Sequence, residues 1–267
     1  MTLRVFSYGG GVQSTAALVL AVQGKIDFPI FLFANVGDDS EHPATLRYVR
    51  EVAMPYAERN GVALHELRHT RRDGSSPTLY EEVMGENRSV GIPMRVSNGA
   101  PGNRSCTERF KIKVIDRWMK EHGVSKDAPG VLGLGISLDE FQRMRSDDPR
   151  YPFKRKEYPL IDMRLTRQDC MTIIGRAGLP VPPKSSCYFC PFHRLTEWRR
   201  LKEEEPELFA KAVELERRVN EKRAGLGKDP LWLTDKLIPL EQAVAGTQHT
   251  LFDSDVDDIC ESGFCMV

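Results

Sequence analysis

The sequence lacks a net charge, a long apolar run and a secretory leader, and each absence excludes a class of protein. Its 267 residues carry 38 Lys plus Arg and 38 Asp plus Glu, so the formal net charge is zero. A strongly basic nucleic-acid-binding protein is therefore not indicated, although a local basic face is compatible with this balance. The longest apolar run, residues 16–22, is far too short to cross a membrane. Without a secretory signal, we expect a cytoplasmic protein that has no contact with membranes.

Size and cysteine content narrow the class further. A hydrophobic fraction of 40% is enough to bury a proper core, and the length suits one sizeable α/β domain with a small appendage. The chain has six cysteines. In a reducing compartment, clustered cysteines indicate metal ligands or reactive thiols rather than disulfides.

Strand-like and helix-like segments alternate along the first half of the chain. An alternating, β-rich run over residues 3–8 leads into three glycines and then a helix-like run over residues 12–22. Further runs follow in the same order: strands over residues 30–34, 62–67 and 131–136, and helices over residues 43–56 and 108–121. This alternation predicts an α/β fold with a parallel sheet, whose ligands bind at the carboxyl ends of the strands.

Other parts of the chain are less regular. Residues 70–106 are rich in Gly, Ser, Asn, Pro and Arg, which predicts a long functional loop, and residues 146–160 read as a second irregular excursion. A charged helix is expected over residues 196–223. We therefore divide the chain into a nucleotide-binding α/β domain over residues 1–180 and a helical, cysteine-containing region over residues 181–267.

The first glycine cluster is the most informative stretch. Three consecutive glycines, Gly9, Gly10 and Gly11, let the backbone approach a ligand and adopt positive φ angles. The helix that follows offers unpaired N–H groups and the positive end of its dipole, which favour an anion such as pyrophosphate. Ser14 and Thr15 add hydroxyl donors on its first turn. A turn that only tightens strand–helix packing is the alternative, and the spacing matches neither the Walker nor the dinucleotide fingerprint.

Residues 9–14, Gly-Gly-Gly-Val-Gln-Ser, resemble the PP-loop of the ATP pyrophosphatases and the phosphoadenosine phosphosulfate (PAPS) reductase family, usually written S-G-G-x-D-S. Gly9 stands where that pattern has Ser, and Gln13 stands where it has Asp. Ser7 lies two residues earlier and is expected to compensate in part. The resemblance implies a Rossmann-like adenine nucleotide alpha hydrolase fold that holds the phosphates of ATP on this loop.

Three later segments continue the resemblance, which covers about residues 3–195. Residues 33–45 resemble the second motif of the PAPS reductase group, in which the strand ending at Asn35 contacts adenine through its backbone. Residues 104–107, Arg-Ser-Cys-Thr, and residues 135–145 resemble later motifs of that group. By this resemblance, Arg104 and Arg145 bind nucleotide phosphates, and Lys111 and Arg143 are catalytic. We also expect Asp38 to be catalytic, with Asp38 and Asp39 supplying the negative charge near a bound Mg²⁺ ion that Gln13 does not supply.

A CxxC turn, Cys187 to Cys190, is the second chemical feature of the sequence. Two thiolates at this spacing can grip one metal ion, and the proline after the second Cys is typical of iron–sulfur loops. Cys106 is the expected third ligand, and Cys265 or Cys260 in the tail completes a set of four. An all-thiolate set suits Zn²⁺ or an iron–sulfur cluster. The family resemblance favours [4Fe–4S], since relatives in thiolation and phosphorothioation chemistry carry it.

The tail and the basic clusters leave alternatives open. Cys260, beside Glu261, is a candidate sulfur nucleophile, as in the C-terminal tail of PAPS reductases. Basic clusters at residues 154–156 and 194–202 suit nucleic-acid backbone contact, although such residues more often form a solvated face. Cys170 is expected to be a buried structural thiol.

Together these features predict an ATP pyrophosphatase that adenylates a substrate for sulfur insertion. The resemblance points to nucleic-acid thiolation or phosphorothioation, with a sulfur-donor protein such as a cysteine desulfurase as partner. Two alternatives remain: reduction of PAPS or adenylyl sulfate through a C-terminal cysteine, and a non-catalytic nucleotide-sensing module.

The cysteine pattern makes a prediction that spectroscopy can check. Anaerobically purified protein is expected to be brown and to hold about four irons with sulfide, both lost when Cys187 and Cys190 become Ala. A colourless protein that holds zinc would instead indicate a structural metal. A protein with neither metal would contradict the interpretation of these cysteines as ligands.

Overall fold

The computed structural model describes residues 2–86 and 89–245. These residues form two compact units. The first unit comprises residues 2–76 and 109–186, and the second comprises residues 77–86, 89–108 and 187–245.

A five-stranded parallel sheet is the frame of the first unit. Its strands are β1 (Arg4–Ser7), β2 (Ile30–Asn35), β3 (Ala63–Arg68), β4 (Gly130–Leu134) and β5 (Lys154–Glu157). They lie in the order β3-β2-β1-β4-β5, and every adjacent pair is parallel. The predicted α/β class with a parallel, Rossmann-like sheet is confirmed.

The described residues contain eleven α-helical segments. In chain order they are α1 (Val12–Val22), α2 (Pro43–Arg47), α3 (Met54–Arg59), α4 (Leu79–Met84), α5 (Ser105–Thr107), α6 (Lys113–Glu121), α7 (Pro159–Asp162), α8 (Arg167–Arg176), α9 (Leu195–Glu204), α10 (Pro206–Gly225) and α11 (Leu240–Ala245). A π-helical stretch, Tyr48–Ala53, joins α2 to α3, and another, Glu108–Ile112, precedes α6. The helix predicted from Pro43 is therefore present, with a π-helical middle.

The central strands β1, β2 and β4 are buried on both faces, as is usual where helices cover a parallel sheet. Phe6 of β1 packs on one face against Phe28 and Phe31, while its neighbour Val5 belongs to the core on the other face. Gly133 of β4 lies beside Phe6, and a Cβ at Gly133 would come within 2.4 Å of the Phe6 ring. The aromatic side chains fill the space that this glycine leaves open.

Residues 146–160 differ from the prediction, because they include strand β5. The strand reads Lys-Arg-Lys-Glu, so no apolar pattern marks it. Lys154 is nevertheless buried, and its ammonium group donates to the buried carboxylate of Asp116 in α6. Lys154 is thus a neutralised core residue and does not belong to an exposed basic cluster.

Two further expectations need correction in the second unit. The predicted loop over residues 70–106 contains α4, which starts with a capping box formed by Thr78 and Glu81. The helix predicted over residues 196–223 is two helices, α9 and α10, because Pro206 cannot continue α9 and instead starts α10.

A buried glutamate anchors the end of the second unit. The carboxylate of Glu216 in α10 accepts hydrogen bonds from the backbone N–H groups of Leu233 (2.7 Å) and Leu240 (2.6 Å). Burial raises the pKa of Glu216, and these two bonds partly oppose that shift. One side chain therefore ties the segment that leads into α11 to the middle of the longest helix.

None of the helices in the described part of the chain is both long and apolar enough to pass through a bilayer.

The Asp116–Lys154 pair yields a stability prediction. Lys154→Met leaves the Asp116 carboxylate buried without its counter-charge, which is expected to cost about 3–5 kcal/mol of unfolding free energy. Urea denaturation measures this loss. The double variant Asp116→Leu/Lys154→Met is expected to recover most of it, and Arg117→Met, in an exposed pair with Glu121, should change stability little. An equal loss in both ion-pair variants would contradict a special role for the buried pair.

Candidate nucleotide-binding site

The site lies where the strand order of the sheet reverses. Strand β1 has β2 on one side and β4 on the other, so the loop after β1 and the turn after β4 leave the same edge in neighbouring positions. In open α/β sheets this crevice at the carboxyl ends of the strands is where ligands bind. Here it is formed by residues 8–14 and 135–137.

The loop after β1 has the backbone that its glycines predict. Gly10 has φ +77°, and a Cβ there would lie 2.9 Å from Cγ2 of Thr45 and 3.3 Å from Cγ2 of Val49. Gly11 is the N-cap residue of α1, so no side chain caps this helix, and its first turn holds no acidic residue. The first-turn N–H groups and the helix dipole therefore favour an anion at this end.

The turn after β4 approaches α1 at the level of its backbone. A Cβ on Gly135 would lie 3.2 Å from the backbone nitrogen of Ser14 and 3.4 Å from its Cα. A side chain at position 135 would therefore crowd the first turn of α1 and require a small shift of one of the two. The loop that we expect to hold phosphates is thus closely approached by the turn after β4.

Gln13 connects the same two elements through its side chain. Its amide nitrogen lies 3.2 Å from Oε2 of Glu140 and 3.4 Å from Oγ of Ser137. Arg143 donates to the same Glu140 oxygen at 2.7 Å, while burial raises the pKa of Glu140 and the Arg143 charge opposes the rise. An aspartate at position 13 would place a second carboxylate beside Glu140, whereas the glutamine amide can donate to it. The structure gives this departure from the family pattern a physical reason.

Two of the hydroxyl-bearing residues predicted to bind the nucleotide make bonds within the protein. Thr15 is fully buried, and its hydroxyl bonds to the Tyr8 hydroxyl at 2.9 Å. Burial raises the pKa of Tyr8. Ser14 Oγ donates to the carbonyl of Gly11 at 3.1 Å, and Ser7 is buried at the end of β1. A nucleotide role for these three residues stays a prediction.

Asp38 lies at the end of β2 in an ion-pair cluster. Its Oδ1 atom accepts from Arg68 (2.5 Å), Arg50 (2.8 Å) and Asn35 (2.7 Å). Arg50 and Asn35 also donate to Glu66 of β3. These bonds, the one from Arg50 first, lower the pKa values of Asp38 and Glu66. Asp38 is thus held by three nitrogen donors on one carboxylate oxygen, and its expected place near a bound Mg²⁺ ion stays a prediction.

Lys111 faces a buried acid. Its Nζ atom lies 3.5 Å from Oε1 of Glu41, whose side chain is completely buried. Neither carboxylate oxygen of Glu41 has a hydrogen-bond partner among the described residues. The pairing of these charges gives the predicted catalytic lysine a defined counter-charge.

Two further residues predicted to bind phosphates make contacts within their own units, and their roles stay predictions. Arg145 donates to the carbonyls of Gln142 and Met144. Arg104 belongs to the second unit, where its guanidinium lies over the Phe192 ring at 5.2 Å. Cys170 of α8 is buried as expected, and burial raises the pKa of its thiol to about 12.

The predicted metal ligands stay untested. Cys106, Cys187 and Cys190 lie in the second unit and are each partly exposed. Among residues 2–86 and 89–245, no three His, Cys, Asp or Glu side chains group closely enough to hold a metal ion. Cys260 and Cys265 lie outside the described residues, so the described chain does not present a complete ligand set for a cluster or for zinc.

Sequence reasoning did not find Arg50, Arg68 or Ser185, all of which contact the site. Arg50 and Arg68 join Asp38 because β2 and β3 pair with Asn35 opposite Arg68. A charged residue at the end of a strand was the one available signal for Arg68. Ser185 Oγ donates to the carbonyl of Gly9 from 176 residues away, and nothing in the local sequence indicates that contact.

Comparison with known proteins adds little to this picture. No protein-family model matches the chain, and neither does any curated protein. Fourteen chains of solved structures match it. One is the U34-tRNA thiolase NcsA from Methanococcus maripaludis with its [4Fe–4S] cluster, which is 14% identical, with 81% of this chain and 71% of that chain covered at a TM-score of 0.40. A likeness at this level carries no weight for the function of this chain.

The Asp38 cluster predicts how stability depends on pH. The pKa values of both carboxyl groups are lower in the folded state than in the unfolded state. Their contribution to the free energy of unfolding is therefore fully present above the ordinary carboxyl range, about pH 4, and is lost as the pH falls from that range through the lowered folded-state values. We expect the urea concentration at the unfolding midpoint to decrease as the pH is lowered below about 4.5. In the Arg50→Gln variant this decrease is expected to be smaller. Arg47→Gln, an exposed change on α2, is the control. Identical pH profiles for wild type and Arg50→Gln would contradict this role of the cluster.

Proposed function

We propose that the first unit binds ATP, with its phosphates on residues 9–14, and releases pyrophosphate by transferring AMP to a substrate. The observation that carries this proposal is the close approach of Gly135 to the first turn of α1, where a Cβ on Gly135 would lie 3.2 Å from the Ser14 nitrogen, at the point where the strand order reverses. There, an uncapped helix start and a glycine turn with positive φ create a surface of backbone N–H groups suited to an anion.

Two cations of the same unit suit charge neutralisation. Lys111 and Arg143 are cations held by buried acids in the same unit, Glu41 and Glu140. A cation held in place costs little reorganisation when negative charge develops, so positioning and electrostatics would supply most of the catalysis. A substrate oxygen would attack the α-phosphorus, the new P–O bond would form, and the bond to the β-phosphate oxygen would break to release pyrophosphate.

The later step and its partners are the finer part of the proposal. A sulfur nucleophile would then displace AMP, giving a thiolated product, with nucleic acid as the leading acceptor class. A sulfur-donor protein such as a cysteine desulfurase would supply the sulfur as a persulfide, and a thiol reductant would provide the two electrons that convert this sulfane sulfur to the thiol level of the product. These assignments rest on the family resemblance of the sequence, and no step is routed through a cluster or a metal ion.

Pyrophosphate release separates this proposal from its two rivals. A PAPS or adenylyl-sulfate reductase would need a tail thiol, Cys260 or Cys265, and would release sulfite without using ATP. A nucleotide-sensing module would bind ATP without splitting it.

A single glycine substitution tests the phosphate loop. Gly10→Ala places a methyl group 2.9 Å from Thr45 and forces a positive φ on a residue with a side chain. We expect ATP binding and pyrophosphate release to weaken by at least about tenfold, or about 1.4 kcal/mol. Calorimetry and a pyrophosphate assay measure the two quantities.

Gly24→Ala is the matched control. Gly24 follows the other end of α1 with φ +68°, and a Cβ there would meet nothing within 4 Å. The backbone strain is similar in the two variants, but only Gly10 lies at the proposed phosphate site. Equal losses of ATP affinity in both variants would show that strain alone explains the effect, and unchanged affinity in Gly10→Ala would sink the proposed site.

A further inference from the structure

A proline-rich segment, residues 180–186, is fastened beside the phosphate loop at three points. The Tyr48 hydroxyl donates to the carbonyl of Pro180 at 2.7 Å, and the backbone N–H of His42 donates to the carbonyl of Ser186 at 3.1 Å. Between these points, Ser185 Oγ donates to the carbonyl of Gly9. The segment is therefore held from α2 and the π-helical stretch, as well as from the loop itself.

The Ser185 side chain lies against the whole glycine turn. A Cβ on Gly10 would lie 3.6 Å from Ser185 Oγ, and a Cβ on Gly11 would lie 3.6 Å from Ser185 Cβ. Pro180, Pro182 and Pro183 fix three φ angles just before it, which limits how far Ser185 can move. A segment in which proline fixes three φ angles thus presents one hydroxyl to a turn of three glycines.

The contact acts on the orientation of one peptide plane. In a trans peptide the carbonyl oxygen and the following N–H point in opposite directions, so holding the Gly9 oxygen on the Ser185 side turns the Gly10 N–H to the other side. With glycine on both sides of this bond, little steric resistance opposes a flip of the plane. The hydrogen bond from Ser185 is therefore the interaction that selects one orientation.

We infer that Ser185 is a positioning residue of the phosphate loop, whose hydroxyl holds the Gly9–Gly10 peptide in its ligand-ready orientation. Gly9 has no hydroxyl of its own, and Ser185 supplies one from a distant part of the chain. The inference rests on the proposed function, because it assumes that this loop binds nucleotide phosphates.

Amide hydrogen exchange of the ligand-free, full-length protein is the first test. Ser185→Ala removes one hydrogen bond, so exchange over residues 8–14 is expected to speed up on the order of fivefold, while the rest of the first unit stays unchanged. Ser185→Thr keeps the hydroxyl and is expected to restore slow exchange. Tyr48→Phe removes the bond to Pro180 and the interaction of the Tyr48 hydroxyl with the Thr15 side chain, but it leaves the bond from Ser185 to Gly9 in place. It is expected to leave exchange over residues 8–14 near the wild-type rate.

Binding of α,β-methylene ATP to the same four proteins is the second test. The affinity of Ser185→Ala is expected to fall on the order of fivefold, with wild-type affinity for Ser185→Thr and Tyr48→Phe. If Tyr48→Phe matches Ser185→Ala in both measurements, the whole segment and not the Ser185 hydroxyl positions the loop, and the inference is overturned.

The two tests separate failure of the inference from failure of the proposed function. Wild-type protein that does not bind the analogue would overturn the nucleotide site, whatever exchange shows. Wild-type protein that binds it, together with unchanged exchange and affinity in Ser185→Ala, would overturn the role of Ser185 alone.

Discussion

The close approach of the Gly135 turn to helix α1 is the constraint on which the candidate site depends. A methyl group at Gly135 would lie 3.2 Å from the backbone nitrogen of Ser14, so a side chain at position 135 would crowd the helix start and require one of the two to shift. Gly133, two residues earlier, admits the Phe6 and Phe28 rings in the same way. Strand β4 and the turn after it therefore make room for the aromatic core and for the start of α1, because glycine stands at positions 133 and 135.

Buried and half-buried charged groups form ion pairs and hydrogen bonds in the same unit as that backbone frame. Glu140 is held by Gln13 and Arg143, and Glu41 lies beside Lys111. Each acid fixes the position of a cation or an amide in the unit that contains the loop. The Asp38 cluster is different, because two guanidinium groups and an amide already neutralise and bind its carboxylate. These bonds join β2, β3 and the π-helical stretch, and the catalytic role expected of Asp38 stays a prediction.

Each of the two positions at which the loop departs from the family pattern makes a specific contact in the tertiary structure. Glutamine at position 13 can donate to Glu140, which an ionised aspartate cannot do. Glycine at position 9 lacks a hydroxyl, and Ser185 brings one to its carbonyl. Both explanations concern positioning, so they are consistent with a loop that retains its ability to bind an anion.

The sequence by itself determined the class of the fold and the place of the glycine turn before α1, since both follow from local signals. Alternating strand-like and helix-like runs imply a parallel sheet, and three glycines before a helix imply a backbone anion site. Local patterns did not predict the charged strand Lys154–Glu157, because its buried lysine is stabilised by Asp116, 38 residues away. Only the tertiary structure decided that Thr15 bonds within the core, that Arg50 and Arg68 converge on Asp38, and that Ser185 reaches Gly9. Such contacts join residues that are distant along the chain, and a local pattern carries no information about which distant partner will neutralise a charge or accept a hydrogen bond.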